Sequence, residues 1–202
     1  MIKLAAVILA AGRASRFKQC KALAEINGAP LISFPINAAA AITKDIFITT
    51  GFWHKELESA CQKHNWPARI LYIDTWEEGI GSVISSVTGK LEKEYDAILF
   101  MLADQPAVSS DNVALLWKVF IEHINDAVCC QYHDTIGVPA IASNTLFEEL
   151  KMLEGESGAK HLLNNGKHVV NVVAIDQCHI DIDTQEDLDN YVHYLNHMAS
   201  LW

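Results

Sequence analysis

Four basic side chains, Arg13, Arg16, Lys18 and Lys21, fall within nine positions, directly after the apolar run that ends in Leu9-Ala10-Ala11-Gly12. Small residues and a glycine at a strand end let backbone N–H groups come close to a phosphate. Leu9, Ala10, Ala11 and Gly12 are therefore the candidate phosphate-binding backbone. Arg16 and Lys21 are the side chains that would neutralise the phosphate charge. The loop is neither G-x-x-x-x-G-K-[ST], since no second glycine precedes Lys21, nor the G-x-G-x-x-G of a dinucleotide site. The competing reading is a tight turn that carries a solvated basic loop.

Three further places carry chemistry. Asp104, in Leu102-Ala103-Asp104-Gln105-Pro106, stands at the end of a buried apolar run and before a proline. That placement suits a magnesium ligand, because magnesium takes one or two carboxylates together with phosphate oxygens and water; a turn or N-cap aspartate is the alternative. Gly79-Ile80-Gly81-Ser82 opens a hydroxyl-rich helix, and Gly81 and Ser82 are candidates to hold a base or ribose edge. In His179-Ile180-Asp181-Ile182-Asp183, alternation places both aspartates on one face of an extended segment, with Asp183 a second metal contact. His193 and His197 share a helix face, but no third ligand accompanies them. Of the tryptophans, Trp76 merits attention because it lies just before the Gly79–Ser82 turn.

These residues need a scaffold. With 202 residues, 50% apolar and 20% charged, the chain is long enough to bury a core and fails the collagen-like, disordered and disulfide-framework classes. No apolar run approaches the roughly 20 residues of a membrane span, and the first strand carries no cleavage site, so a cytoplasmic protein is expected. A net charge of −10 argues against general nucleic-acid binding, while the single basic loop suits a small polyanion. Five cysteines, an odd number without C-x-x-C spacing, read as reduced thiols; Cys129 and Cys130, neighbours in a strand, should face opposite ways.

Apolar, β-rich runs at Ala5–Ala10, Asp45–Thr50, Arg69–Ile73, Ala97–Ala103 and Ala127–Tyr132 alternate with helical patterns around Leu31–Ile42, Lys55–His64, Ser82–Lys93 and Asp111–His123. This order predicts an α/β fold, a three-layer, Rossmann-like, mostly parallel sheet with helices on both faces. The final third departs from it. Gly137 and Pro139 break Ile136–Ala142 into an edge or antiparallel strand. Short helices over Leu146–Leu153 and Gly158–Asn165, a strand Val169–Ala174 and a helix from Gln185 to about His197 follow. Thr184 and Asp187 have capping-box spacing. One domain is expected. In such a sheet ligands bind beyond the carboxyl ends of the strands, which would bring the loop after Leu9 close to Asp104.

Taken together, these segments resemble the molybdenum cofactor nucleotidyltransferases, in particular the branch that joins CTP to molybdopterin, related to the molybdopterin-guanine dinucleotide synthases. The family pattern LAAG-x-S-x-R-M-G-x-x-K is matched by LAAGRASRFKQCK, with Gly12, Arg16 and Lys21 in register, Ser15 one place after the pattern's serine, and Phe17 and Lys18 in place of Met and Gly. WEEGIGSVISS, LADQP, GVPAIASNTLFEEL, LEGESGAKHLL and DIDTQEDL continue the match along nearly the whole chain. Glu156, Lys160 and Gln185 replace the family's Asp, Arg and Pro, and GVPAIAS lacks its His and Phe. The guanylyltransferase branch shows LAGG, an aspartate before the loop lysine and C-D-x-P, where this chain has Ala11, Cys20 and LADQP.

The resemblance implies a nucleotide-diphospho-sugar transferase type of fold, with residues 1–110 binding nucleotide and residues 111–202 binding the acceptor. It also implies transfer of CMP from magnesium-bound CTP to the phosphate of molybdopterin, with loss of pyrophosphate. Asp104 and Asp183 would hold the magnesium, and Arg16, Lys21 and Asp104 would be catalytic. GTP as donor, a sugar 1-phosphate as acceptor, or a non-catalytic carrier that hands cofactor to a molybdenum hydroxylase are the alternatives.

Overall fold

The computed structural model of the chain describes residues 2–123 and 126–200. In chain order its elements are β1 (Leu4–Leu9), β2 (Glu25–Ile26), β3 (Ala29–Pro30), α1 (Ser33–Ala39), β4 (Ile46–Thr50), α2 (His54–Lys63), β5 (Arg69–Tyr72), α3 (Ile80–Leu91) and β6 (Ala97–Leu102). Then follow α4 (Ser110–Glu122), β7 (Ala127–Tyr132), β8 (Thr135–Ser143), α5 (Phe147–Leu150), α6 (Lys160–Asn164), β9 (Val170–Ala174) and α7 (Gln185–Ala199).

Seven strands form one sheet in the order β5-β4-β1-β6-β8-β7-β9. The pairs β1–β4, β1–β6, β4–β5 and β7–β9 are parallel, and β8 runs antiparallel to both β6 and β7. Every residue of β1 is buried, which is why its sequence is continuously apolar and shows no alternation. Leu4, Ala6 and Ile8 pack on one face with residues of α1, α2 and α4; Ala5, Val7 and Leu9 pack on the other with residues of α3, α5 and α6. A smaller cluster seats α7, through Leu188, against Phe17 and the β2–β3 hairpin. Cys130 and Cys129 fall on opposite faces, as strand alternation requires.

One expectation is met in its second form and another needs correction. Ile136–Ala142 is antiparallel but is not an edge: it lies inside β8, between β6 and β7. Proline is tolerated there because the register slips between Cys129, paired with Ala140, and Cys130, paired with Gly137. Val138 and Pro139 thus fall in a bulge and need not supply ladder bonds. Ala127–Tyr132, which reads like the parallel strands before it, instead has one antiparallel neighbour and one parallel one. The hairpin β2–β3 turns on Asn27-Gly28, both at positive φ, a short turn signal that precedes α1.

The chain leaves β1 toward β4 and β5 on one side, then returns to β6 on the other. The carboxyl ends of β1 and β6 therefore flank a topological switch point, where an open α/β sheet leaves a crevice. Capping boxes set the starts of two helices nearby, Ser109 with Asn112 for α4 and Thr184 with Asp187 for α7. Among the described residues no helix is long and apolar enough to cross a membrane.

Candidate active site

The segment 10–21 leaves β1 in this crevice. Its course is fixed by contacts from the strand next door: Phe52 N–H donates to the Ala11 carbonyl (3.2 Å) and Trp53 Nε1 to the Arg13 carbonyl (2.9 Å). Gly51 makes that approach possible, since a Cβ on it would lie 2.6 Å from the Ala11 carbonyl oxygen and 2.3 Å from Trp76 Cγ. Ala14 and Lys18 take left-handed backbone, with φ of 50° and 58°. Lys18 stands where the family pattern has glycine, and an L side chain in that conformation costs on the order of 1–2 kcal/mol. Phe17, between them, is buried against the α7 cluster and anchors the turn.

Lys21 is the hub. Its Nζ donates to Asp104 Oδ2 at 2.5 Å and to Asp183 Oδ1 at 3.0 Å, and Arg16 Nη1 lies 3.4 Å from Asp183 Oδ2. Burial works to lower the Lys21 pKa, but the two aspartates outweigh it and hold the ammonium above its ordinary range. Asp104 follows β6 directly, whereas Asp183 arrives on a strap, residues 178–183, tied across that end of the sheet. Ile182 N–H donates to the Asp104 carbonyl (3.0 Å) and Gln105 Nε2 to the Cys178 carbonyl (2.8 Å). Asp181 has its carboxyl pushed up, first by burial and then by the carboxylates of Asp104 and Asp183, against a hydrogen bond with Gln105 and the charge of Lys21. Arg16 is mostly exposed and stands at the rim.

A cavity of about 170 Å³ opens over this cluster, lined by Leu9, Ala10, Gly12, Ala14, Lys21 and Asp104. A Cβ on Gly12 would meet nothing within 4 Å, so a ligand can approach the backbone closely there. Ala10 is less available, because its N–H already reaches Thr49 Oγ1 at 3.3 Å. Asp104 Oδ1 is buried without a hydrogen-bond partner. An orphaned carboxylate oxygen beside a second carboxylate is a fitting donor set for a hard divalent cation. Among the described residues no three His, Cys, Asp or Glu side chains group to hold a metal. Such an ion would therefore complete its shell from substrate oxygens and water.

Gly81 and Ser82 are not in contact with this space. Both are buried, and they hold the 154–157 loop: Gly81 N–H donates to the Gly155 carbonyl (2.8 Å), and Ser82 Oγ accepts from Gly155 N–H (3.2 Å). A Cβ on Gly81 would lie 2.5 Å from the Ser157 carbonyl oxygen. Their glycine and hydroxyl hold that loop in place. The docked loop brings Glu156 to a second cavity, about 340 Å³, with Gly12, Arg13, Trp76, Glu77 and Gly79. Gly51 and Trp53 are the positioning residues that motif reading missed; the aromatic pair Phe52-Trp53 directly after β4 was their only signal.

The five cysteines are buried thiols, and one of them, Cys20, lines the cavity beside Lys21. Burial pushes Cys20 up to about 11 and Cys129 up to about 12, so neither supplies a thiolate at neutral pH.

Several proteins share this frame. "Purine catabolism protein PucB" of Bacillus subtilis is 29% identical over 92% of this chain and 94% of its own. A "Probable molybdenum cofactor guanylyltransferase" of a Geobacillus species is 26% identical over 65% of this chain and 66% of its own. The crystal structure of Rv0371C from Mycobacterium tuberculosis, in complex with manganese, superposes with a TM-score of 0.76 at 23% identity, covering 95% of this chain and 98% of that one. Residues 6–181 match the MobA-like NTP transferase domain, and the chain belongs to that family of nucleotidyltransferases.

Proposed function

We propose that this enzyme transfers a nucleotidyl group from a nucleoside triphosphate to the phosphate of molybdopterin, releasing pyrophosphate, with a divalent metal at Asp104 and Asp183. The observation that carries the reading is the convergence of Lys21, Asp104 and Asp183 at the switch point, next to open backbone at Gly12. The family is one of nucleotidyltransferases, so the carrier without catalysis gives way to an enzyme. The manganese named for the Mycobacterium tuberculosis structure supports a metal in the same fold, and magnesium serves the same hard-oxygen chemistry.

Such a metal, when bound, withdraws charge from the triphosphate oxygens. The chain supplies the rest. Gly12 and the backbone around it receive the phosphates, Lys21 turns its ammonium from the two aspartates toward the charge that builds at the α-phosphorus, and Arg16 closes the rim. The acceptor phosphate attacks in line and the pyrophosphate leaves, a reaction that depends on positioning and charge stabilisation without a covalent enzyme nucleophile.

Guanine is the first choice of base, because one of the relatives similar in sequence is named as a probable molybdenum cofactor guanylyltransferase. Cytosine is the second reading, favoured by Ala11 and Cys20 in the phosphate loop. A molybdenum hydroxylase is the proposed recipient of the product. Thermal unfolding with GTP, CTP, ATP and UTP, each with and without magnesium, tests the nucleotide half of this proposal. A ligand at a hundred times its Kd adds roughly 2.7 kcal/mol. A metal-dependent upward shift led by GTP is expected, a CTP-led shift selects the second reading, and no shift with any nucleotide overturns the proposal.

A further inference from the structure

Two histidines meet at the carboxyl end of the sheet, outside the site described above. β7 runs with β6, because β8 is antiparallel to both, so Tyr132 at its end lies on the same side of the sheet as Leu102. Tyr132 pairs with Thr135, which leaves His133-Asp134 as a two-residue loop with His133 at a φ of 50°. Glycine or asparagine ordinarily takes that position of a hairpin. β9 runs parallel to β7 and ends beside it, where Ile175 N–H donates to the Gln131 carbonyl (2.9 Å). The 3₁₀ turn Asp176–His179 follows and brings the chain back to this loop. The rings of His133 and His179 stand there with centroids 5.0 Å apart and planes inclined by 60°. Both residues are exposed. β7 is two strands from β6, about 10 Å across the sheet, so the pair is separate from the Lys21–Asp104 cluster.

Ring separation and tautomer both suit a shared metal ion. Two imidazoles that bind one tetrahedral ion through nitrogens at about 2.0–2.1 Å hold their centroids roughly 5 Å apart. His179 Nδ1 is engaged by the Asp176 carbonyl. An Nδ1–H donated to that carbonyl fixes the ring and leaves Nε2 as the free lone pair, which is how backbone carbonyls orient metal-binding histidines. We propose that His133 and His179 form a binding site for a divalent transition-metal ion of the zinc class, with water completing its shell. Imidazole nitrogen suits zinc, nickel and copper, whereas magnesium prefers oxygen donors. This site and the carboxylate pair Asp104–Asp183 therefore select different ions. His179 stands four residues before Asp183, on the strap that Ile182 ties to Asp104. An ion held by both histidines fastens that strap to the β7–β8 loop.

The test is a calorimetric titration of zinc chloride into the full-length chain, in an excess of magnesium. One equivalent should bind saturably. His133→Asn, which keeps a residue tolerant of left-handed backbone, and His179→Gln each remove one imidazole from an exposed position. Each should weaken zinc binding by roughly tenfold or more, the least that losing even an outer partner of a ligand costs. His193 and His197 on α7 are the competing pair that spacing alone offers. The double change His193→Ala with His197→Ala should leave the affinity as in the wild type. Each variant should unfold at the wild-type midpoint without zinc, which separates a lost ligand from a lost fold. Zinc should also slow amide exchange over residues 176–183 in the wild type and not in His133→Asn, since only an ion shared by both histidines pins that segment. No saturable zinc binding, unchanged affinity in either single variant, or its loss in the α7 double variant would overturn the proposal.

Discussion

Lys21 Nζ and Asp104 Oδ2 are 2.5 Å apart although 83 residues separate them in sequence. The contact spans the gap between the ends of β1 and β6, the switch point of the sheet, and Asp183 joins it from a strap near the other end of the chain. One ammonium thus pairs with two carboxylates at this end of the sheet.

Asp104→Asn keeps the shape of the side chain and removes the charge. We expect nucleotidyl transfer to fall by about 10²–10³, on the order of 3–4 kcal/mol in the barrier, with the far-ultraviolet spectrum unchanged. Near-normal turnover in this variant would remove Asp104 from the chemistry. Asp183→Asn should act in the same direction but less strongly, since Asp183 is the more exposed of the pair.

The 154–157 loop is docked by contacts that tolerate no extra atoms at Gly81. Gly81→Ala would push a methyl group into the Ser157 and Glu154 carbonyl oxygens, so a loss of about 1–3 kcal/mol is expected in chemical denaturation. Ser82→Ala, which removes the acceptor for Gly155 N–H, should cost about 1 kcal/mol. If Ser82 instead held the nucleotide directly, the alanine variant would lose nucleotide affinity while keeping full stability.

Lys18 carries left-handed backbone without the freedom of glycine. Lys18→Gly should raise stability by about 0.5–1 kcal/mol, the relief of the left-handed penalty less the added entropy of the unfolded chain. Lys18→Val should destabilise the loop. Denaturation midpoints of the two variants give the answer, and equal midpoints would contradict the assigned strain.

Alkali tests the hub directly. The folded-state pKa of Lys21 is raised above the ordinary 10.5, so its contribution to stability is complete below that value and is lost as pH climbs through the higher, folded one. Lys21→Met should therefore be less stable than the wild type at neutral pH, and the difference should shrink as pH rises beyond about 10.5. A difference that stays constant across that range would mean that Lys21 contributes packing and not charge.

Much of this was legible in the sequence because the signals are local. Continuous apolar runs mark strands buried on both faces, capping-box spacing marks the start of α7, and the basic loop after Leu9 marks the crevice. Other features depend on context. Gly81 and Ser82 carry the residue types of a ligand-binding turn, but whether a small residue faces a ligand or another loop is decided by the 154–157 segment, more than seventy positions away. Pro139 argues for an edge strand until the bulge that absorbs it is seen. An apolar cavity on the α3 side of the sheet left no motif, since its walls come from β1, β6, β7, β8, α3, α5 and α6, each contributing residues that also read as ordinary core.

The central claim is metal-dependent nucleotidyl transfer at the Lys21–Asp104 pair, and pyrophosphate release measured with molybdopterin, nucleoside triphosphate and magnesium tests it most directly. Release should require the acceptor and the metal together, proceed faster with GTP than with CTP, and fall by about a hundredfold or more in Asp104→Asn. Release that persists without acceptor or metal, or that Asp104→Asn leaves intact, would contradict it.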